Sequence, residues 1–293
     1  MADIRLDSKF LRKLDHLMFR ALGVASGDLM GGRRSRRRGV GLEFADHKAY
    51  SSGDDFRYLD WNILARLDEL FLKVFELEED LYVYILVDCS KSMDFGDPNK
   101  SDFARMLAAA LAYIGLAKQD IVRLSFFDSE LVTNSNVFKG REQILRVFDF
   151  LNDRSTGGRT SFADALSDFV RSTRRHGIVL LISDFLDPGN LKEALRTLVH
   201  NRFGVYALHV VDADEETPNL IGDVELTDSE TGESLSVSLR GSALEAYRRM
   251  FQDHFAELRR FLHSYNARYI RALTSTSLED LFLMTFRREG LFR

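Results

Sequence analysis

The stretch Leu81–Ser92 constrains the fold of this chain more tightly than its neighbours do. Its first seven residues carry no formal charge, are rich in β-branched and aromatic side chains, and lead directly into Asp88 and Ser90. So short and apolar a run is typical of a strand covered on both faces, as in a parallel sheet flanked by helices. The sequence therefore predicts a buried central strand that ends in carboxylate and hydroxyl side chains.

The spacing of these polar residues predicts where the strand ends. Extended residues two apart lie about 6.6 Å from each other, whereas two oxygens bound to one Mg²⁺ at about 2.1 Å lie at most about 4.2 Å apart. If Ser90 and Ser92 hold one ion, the chain must curl after Asp88. We therefore expect the strand to end at Asp88.

Strands and helices alternate after this point. Apolar runs bounded by turn residues predict strands, and apolar positions three and four apart predict helices. The predicted strands are 121–127, 131–136, 177–184, 204–211 and 268–273, with a hairpin of 223–227 and 234–239. The predicted helices begin at Ser101, Arg141, Ser161 (where Asp164 completes a possible capping box), Asn190, Ser242 and Leu278. This alternation predicts an α/β fold with a doubly wound, mostly parallel sheet over residues 81–293.

Residues 1–80 are predicted to form an extension packed on this domain. Residues 5–22 have the spacing of an amphipathic helix. The arginine-rich segment 33–38 is interpreted as a solvated loop, or alternatively as a docking arm for an acidic surface, phosphate or anionic lipid. Residues 70–75 alternate as a strand would, and we expect them to form an antiparallel edge strand beside the central strand.

Composition excludes several classes of protein. A net charge of −5 argues against a dedicated nucleic-acid binder. The one cysteine, Cys89, excludes an internal disulfide and is expected to be a small core residue. The sequence shows neither the apolar core of a signal peptide nor a run of 18 apolar residues. We therefore expect a cytoplasmic protein.

Oxygen donors follow three separate segments of the predicted domain. Asp88, Ser90 and Ser92 follow the central strand, Thr160 lies in a glycine-led loop, and Asp184 ends a second apolar run. Because parallel strands bring such positions to one edge, these side chains could gather around a hard cation. Taken singly, each residue has a structural alternative as a turn former or helix cap.

This constellation resembles the metal-ion-dependent adhesion site of von Willebrand factor A domains, whose fold is the one predicted above. The resemblance implies that Ser90, Ser92 and Thr160 ligate Mg²⁺ or Mn²⁺ directly, with Asp88 and Asp184 acting largely through water. It also implies that a carboxylate from a partner protein completes the coordination shell.

A second resemblance covers about residues 35–290. The segment from Glu43 to Arg66, EFADHKAYSSGDDFRYLDWNILAR, is similar to the signature that precedes the A domain in the bacterial domain-of-unknown-function 58 family. Members of that family resemble partners of MoxR-type AAA+ ATPases, with chaperone-like roles in assembly or maturation. Many members carry transmembrane helices ahead of the signature, and this sequence shows none.

The charged residues of this signature suggest two roles. They could form an ion-pair network anchored by the apolar ring of Trp61. The segment would then either fix the extension to the domain or present a docking surface. The network would comprise Asp54, Asp55, Arg57, Asp60 and Arg66.

Three functions compete at this stage. The favoured one is a non-enzymatic module that grips a partner carboxylate through a divalent metal. The second is a metal-dependent hydrolase or phosphatase using Asp88, although haloacid-dehalogenase phosphatases need a second acidic residue where Ser90 stands. The third is a scaffold whose metal only stiffens the loops. The acidic run 212–216 is expected at the metal edge, either as a solvated loop or as a modulator of ion or partner choice.

Overall fold

A computed structural model gives the fold. It describes residues 12, 38–39, 43–76, 81–129, 133–153, 156–159, 161–187, 189, 191–218, 222–229, 231–239, 241–286 and 288. The predicted N-terminal helix and the arginine-rich segment lie outside the described residues, except for Arg12 and Arg38. The chain divides into two compact units, Gly31–Asp80 and the remainder of the chain.

The smaller unit contains a three-stranded antiparallel sheet. Its strands, in the order β1-β3-β2, are Arg38–Gly39 (β1), Glu43–Ala49 (β2) and Phe71–Glu76 (β3). The prediction that residues 70–75 form an edge strand of the main sheet was wrong. They pair instead with Glu43–Ala49, because that charged segment also extends and offers an antiparallel partner, with a register shift between Phe44 and Asp46.

A short helix, Trp61–Leu67 (α1), is joined to this small sheet by its N-cap residue, Asp60. Asp60 accepts hydrogen bonds from the Asn62 amide at 2.9 Å and lies 2.9 Å from His47 Nε2. Asp54 pairs with Lys48 and Asp55 with Arg57, so the signature forms separate ion pairs, but Trp61 does not anchor them. Trp61 is 67% exposed and contributes no apolar core to them.

The larger unit is built on a six-stranded sheet of order β11-β8-β7-β4-β5-β6. Five strands are parallel, and the short β6 is antiparallel to β5. The strands are Tyr82–Asp88 (β4), Ile121–Phe127 (β5), Thr133–Asn134 (β6), Ile178–Ser183 (β7), Gly204–Val211 (β8) and Arg268–Leu273 (β11). The predicted doubly wound α/β fold is confirmed.

Helices cover both faces of this sheet. They are Lys100–Ala117 (α2), Ile144–Asn152 (α3), Phe162–Ser172 (α4), Leu191–His200 (α5), Ala213–Glu216 (α6), Gly241–Ser264 (α7) and Leu278–Asp280 (α8), which continues as a π-helical segment Leu281–Phe286. Helices α2 and α3 share one buried apolar cluster with the last segment, and α4, α5 and α7 share the other. The central strand β4 is accordingly buried from Val83 to Asp88.

Two further predictions concern local structure. The hairpin is confirmed, with Gly222–Thr227 (β9) and Ser234–Leu239 (β10) paired antiparallel. The capping box at α4 was wrong. The Ser161 hydroxyl donates to the Asp164 carboxylate at 2.7 Å instead of capping the helix, and Asp187 from another loop accepts the Phe162 amide at 3.0 Å.

Gly177 is required by the close approach of two backbones. A Cβ atom at this position would lie 2.2 Å from the carbonyl oxygen of Tyr82. We expect Gly177→Ala to lower the free energy of unfolding by about 2 kcal/mol, since the backbone must shift to relieve the overlap. Urea denaturation measures this change.

Gly204 supplies the matched control. Its amide donates to the Gly177 carbonyl at 3.0 Å, yet an added Cβ would meet the Ile178 side chain at 3.5 Å and the Gly177 carbonyl oxygen at 4.0 Å, both ordinary contacts. Gly204→Ala should leave the free energy of unfolding unchanged or raise it by up to about 1 kcal/mol. Equal losses for both variants would contradict the steric explanation.

Candidate functional site

The loop after β4 curls at the position that the sequence predicts. The strand ends at Asp88, and a 3₁₀ turn, Lys91–Met93, follows with Ser90 at its N-terminal cap position. The Ser90 amide donates to Asp88 Oδ1 at 2.9 Å, which fixes the turn. The hydroxyl oxygens of Ser90 and Ser92 lie 3.0 Å apart. The curl therefore brings the two hydroxyls together.

Asp88 is buried beside the end of the neighbouring strand. The Ser183 hydroxyl donates to Asp88 Oδ2 at 2.6 Å, so both carboxylate oxygens accept a hydrogen bond. Burial, together with the nearby charge of Asp184, raises the pKa of Asp88 to about 7. A carboxylate in these surroundings gains from a cation placed close to it.

Asp184 follows β7 and lies at the same edge of the sheet. Its Oδ1 accepts the Leu186 amide at 3.2 Å, and its Oδ2 accepts a hydrogen bond from Lys100 Nζ at 2.8 Å. The Lys100 side chain is fully buried, and its ammonium also pairs with Glu215. Asp184 thus belongs to a buried ion-pair cluster with Lys100 and Glu215.

Lys100 is a functional candidate that the sequence did not reveal, whereas its partner Glu215 lies in the acidic run that was expected at this edge. Burial opposes the charged form of Lys100, but the carboxylates of Asp184 and Glu215 outweigh it and raise the pKa of the lysine. Burial raises the pKa of Glu215, partly offset by Lys100. One feature of the sequence could have pointed to Lys100: it lies in the first turn of a helix, where the helix dipole disfavours a cation.

The acidic run 212–216 is ordered and does not form a simple solvated loop. Asp212 caps α6 by accepting the Asp214 amide at 2.9 Å, and the Glu215 carboxylate accepts the Asp212 amide at 3.1 Å. Asp212 also accepts the Thr274 hydroxyl at 2.9 Å. This capping box directs Glu215 onto Lys100 at the candidate site.

Thr160 lies outside the described residues, but the loop on its N-terminal side does not. The Gly157 amide donates to the Cys89 carbonyl at 2.8 Å, and the Lys91 amide donates to the Gly158 carbonyl at 3.2 Å. Two hydrogen bonds therefore join this loop to the turn after Asp88. Cys89 is buried, as predicted, and its thiol donates to the Phe127 carbonyl at 3.2 Å.

The donor set fits a hard cation in its chemistry and in one distance. Adjacent ligands of an octahedral Mg²⁺ with bonds of about 2.1 Å lie about 3.0 Å apart, and the Ser90 and Ser92 hydroxyl oxygens are 3.0 Å apart. Within the described residues, no group of three or more His, Cys, Asp or Glu side chains could hold a metal. Any ion here would therefore depend on the serine hydroxyls as well as on Asp88 and Asp184.

Comparison with known proteins gives relatives along most of the chain. Uncharacterized protein Rv1480 of Mycobacterium tuberculosis is 29% identical over 278 residues, which cover 92% of this chain and 86% of that protein. Uncharacterized protein Mb1516 of Mycobacterium bovis matches to the same extent. Uncharacterized protein MAV169 of Mycobacterium avium is 32% identical over 127 residues, or 43% of this chain and 74% of that protein.

Solved structures align with this chain at low sequence identity and with TM-scores below 0.5. An aerotolerance-related membrane protein from Bacteroides fragilis aligns with 71% of this chain and 99% of its own, at 16% identity and a TM-score of 0.47. Conserved hypothetical protein BatB from Bacteroides thetaiotaomicron aligns with 68% of this chain and 94% of its own, at 17% identity and a TM-score of 0.44.

None of the helices in the described part of the chain combines the length and apolar character that a membrane crossing requires.

The family model described as Protein of unknown function DUF58 matches residues 46–260, which is most of the chain. The protein belongs to the DUF58 family.

Proposed function

We propose that this protein is a divalent-metal-dependent interaction module and not an enzyme. In this proposal Ser90 and Ser92 hold Mg²⁺ or Mn²⁺ directly, and Asp88 and Asp184 act largely through water. Thr160 is a further ligand implied by the resemblance to von Willebrand factor A domains. The observation that carries the proposal is the 3.0 Å separation of the Ser90 and Ser92 hydroxyl oxygens beside the buried Asp88. The ion would supply a Lewis-acidic position for a carboxylate of another protein.

The charge balance of the site favours an external carboxylate. Asp184 shares its charge with Lys100, so the carboxylates of this chain are already partly neutralised by an internal cation. Neutral hydroxyls make up the rest of the donor set. A site with so little net negative charge has reason to accept an acidic side chain from a partner.

The partner we propose is a MoxR-type AAA+ ATPase or its client, in chaperone-like assembly or maturation in the cytoplasm. This step rests on the resemblance of the Glu43–Arg66 signature to its family. The contact would need an aspartate or glutamate on the partner surface, since the proposed site offers a cation.

An enzymatic role has less support from the geometry. Both oxygens of Asp88 accept hydrogen bonds, and the residue is 1% exposed. A nucleophilic carboxylate would need one oxygen free to reach a substrate. We therefore keep hydrolase or phosphatase chemistry as the outcome that would contradict the proposal.

The double variant Ser90→Ala/Ser92→Ala tests the proposal. We expect its affinity for Mn²⁺, measured by isothermal titration calorimetry, to fall at least tenfold because two neutral ligands are removed together. The tagged protein should capture an AAA+ ATPase from native lysate in Mg²⁺, lose it in EDTA, and fail to retain it in the variant.

Ser236→Ala/Ser238→Ala is the matched control. These two serines have the same spacing, lie on β10 and are exposed. The control should bind metal and partner as the wild type does. Capture that survives loss of the metal would favour a scaffold with a structural ion, and hydrolysis of p-nitrophenyl phosphate that depends on Asp88 and Mg²⁺ would favour an enzyme.

A further inference from the structure

A second concave site lies between helix α7 and strands β8 and β11, next to the edge of the sheet that carries Asp184. It is an open cavity of about 610 Å³, a volume in the range of small-molecule sites. Its lining comes from His209 on β8, Tyr269 and Arg271 on β11, the neighbouring Glu216, and one face of α7. None of these residues belongs to the proposed metal site.

The floor of this cavity is aromatic. His209 is buried, stacks on Phe255 with ring centroids 4.0 Å apart, and lies 2.5 Å from the Tyr269 hydroxyl through Nδ1. Phe251 extends the surface, 4.8 Å from Phe255. A planar apolar group would find a continuous aromatic surface here.

The rim of the cavity is cationic, although the protein as a whole is acidic. The lining contains three arginines against one glutamate, whereas the net charge of the chain is −5. Glu216 already pairs with Arg271. Among the residues that the structure describes, Arg259 has no ion pair. Arg260 donates through Nε to the Ala256 carbonyl at 3.3 Å and acts electrostatically on Glu257, which pairs with Lys192.

We propose that this cavity binds a small aromatic organic anion. Its ring would lie on Phe251, Phe255 and Tyr269, and its carboxylate, sulfonate or phosphate would pair with Arg259 and Arg260. The volume favours a small molecule over a protein segment, and the excess of arginine over glutamate beside an aromatic floor gives charge complementarity to an anion that carries a ring.

Titration with 8-anilinonaphthalene-1-sulfonate in EDTA tests this proposal independently of the metal site. The fluorescent probe should bind the wild-type protein saturably, and AMP should displace it, because AMP also joins a ring to an anion. Inorganic phosphate at the same concentration should not. Arg259→Gln/Arg260→Gln should weaken probe binding at least tenfold.

Arg146→Gln/Arg249→Gln removes the same charge from exposed positions that do not line the cavity. It should change probe affinity less than twofold. Unchanged thermal unfolding of both variants would show that each remains folded, and Phe251→Ala, which truncates the ring surface, gives a second variant with an expected loss. Equal losses in the two arginine pairs, no saturable binding, or displacement by phosphate as effective as by AMP would each overturn the proposal.

Discussion

Replacing Lys100 with methionine is expected to lower the free energy of unfolding by about 3–5 kcal/mol. Methionine keeps the length and apolar stem of lysine but removes the ammonium that donates to Asp184 and Glu215. Both carboxylates then remain at the candidate site without their buried counter-charge. Urea denaturation at pH 7 in the presence of EDTA measures the loss from the side chains alone.

The surface pair of Lys192 and Glu257 gives a matched comparison. Both side chains are substantially exposed, so Lys192→Met should cost less than about 1 kcal/mol. Adding Glu215→Gln to Lys100→Met should recover part of the loss, because it removes one of the two uncompensated carboxylates. If Lys100→Met and Lys192→Met had the same effect, the buried cluster would not contribute to stability as described.

The sequence predicted the main sheet well because its strands carry their own signal. Tyr82–Asp88 and Ile178–Ser183 are short apolar runs that could be buried only between two layers, and both end in polar residues at one edge. That pattern depends on neighbouring residues alone. These strands can therefore be predicted without knowledge of the tertiary structure.

The features that were missed depend on residues far apart in the chain. Glu43–Ala49 has no apolar run of its own and becomes a strand through its partner Phe71–Glu76. Lys100 lies in a first helical turn, and its partners Asp184 and Glu215 follow 84 and 115 residues later. Local periodicity contains no information about such pairings. The candidate site could thus be predicted as a set of oxygen donors, but not as a cluster with its own internal cation.

Asp88 should make the stability of the metal-free protein fall as the pH rises. The pKa of Asp88 in the folded protein is about 7, above the ordinary value of 3.8, so the folded state binds this proton more tightly than the unfolded state does. The contribution of Asp88 to the free energy of unfolding is therefore favourable below about pH 4, declines between pH 4 and 7, and is lost above pH 7. About three pKa units correspond to about 4 kcal/mol.

Asp88→Asn should remove this dependence. In EDTA at pH 8 we expect the variant to be more stable than the wild type by up to about 4 kcal/mol, because asparagine has no charge to bury beside Asp184. The exposed control Asp223→Asn should shift the free energy of unfolding by less than about 0.5 kcal/mol. Urea denaturation from pH 4 to 8 gives all three curves.

Adding magnesium tests whether the buried Asp88 carboxylate contributes to cation binding or only destabilises the fold. If Asp88 helps to hold the proposed ion, adding Mg²⁺ at pH 8 should stabilise the wild type and leave Asp88→Asn nearly unchanged, since only the carboxylate gains from the positive charge. The advantage of the variant in EDTA would then shrink or reverse. A wild-type protein that shows no gain with Mg²⁺ or Mn²⁺, while Asp88→Asn remains the more stable form, would mean that the buried charge serves no cation.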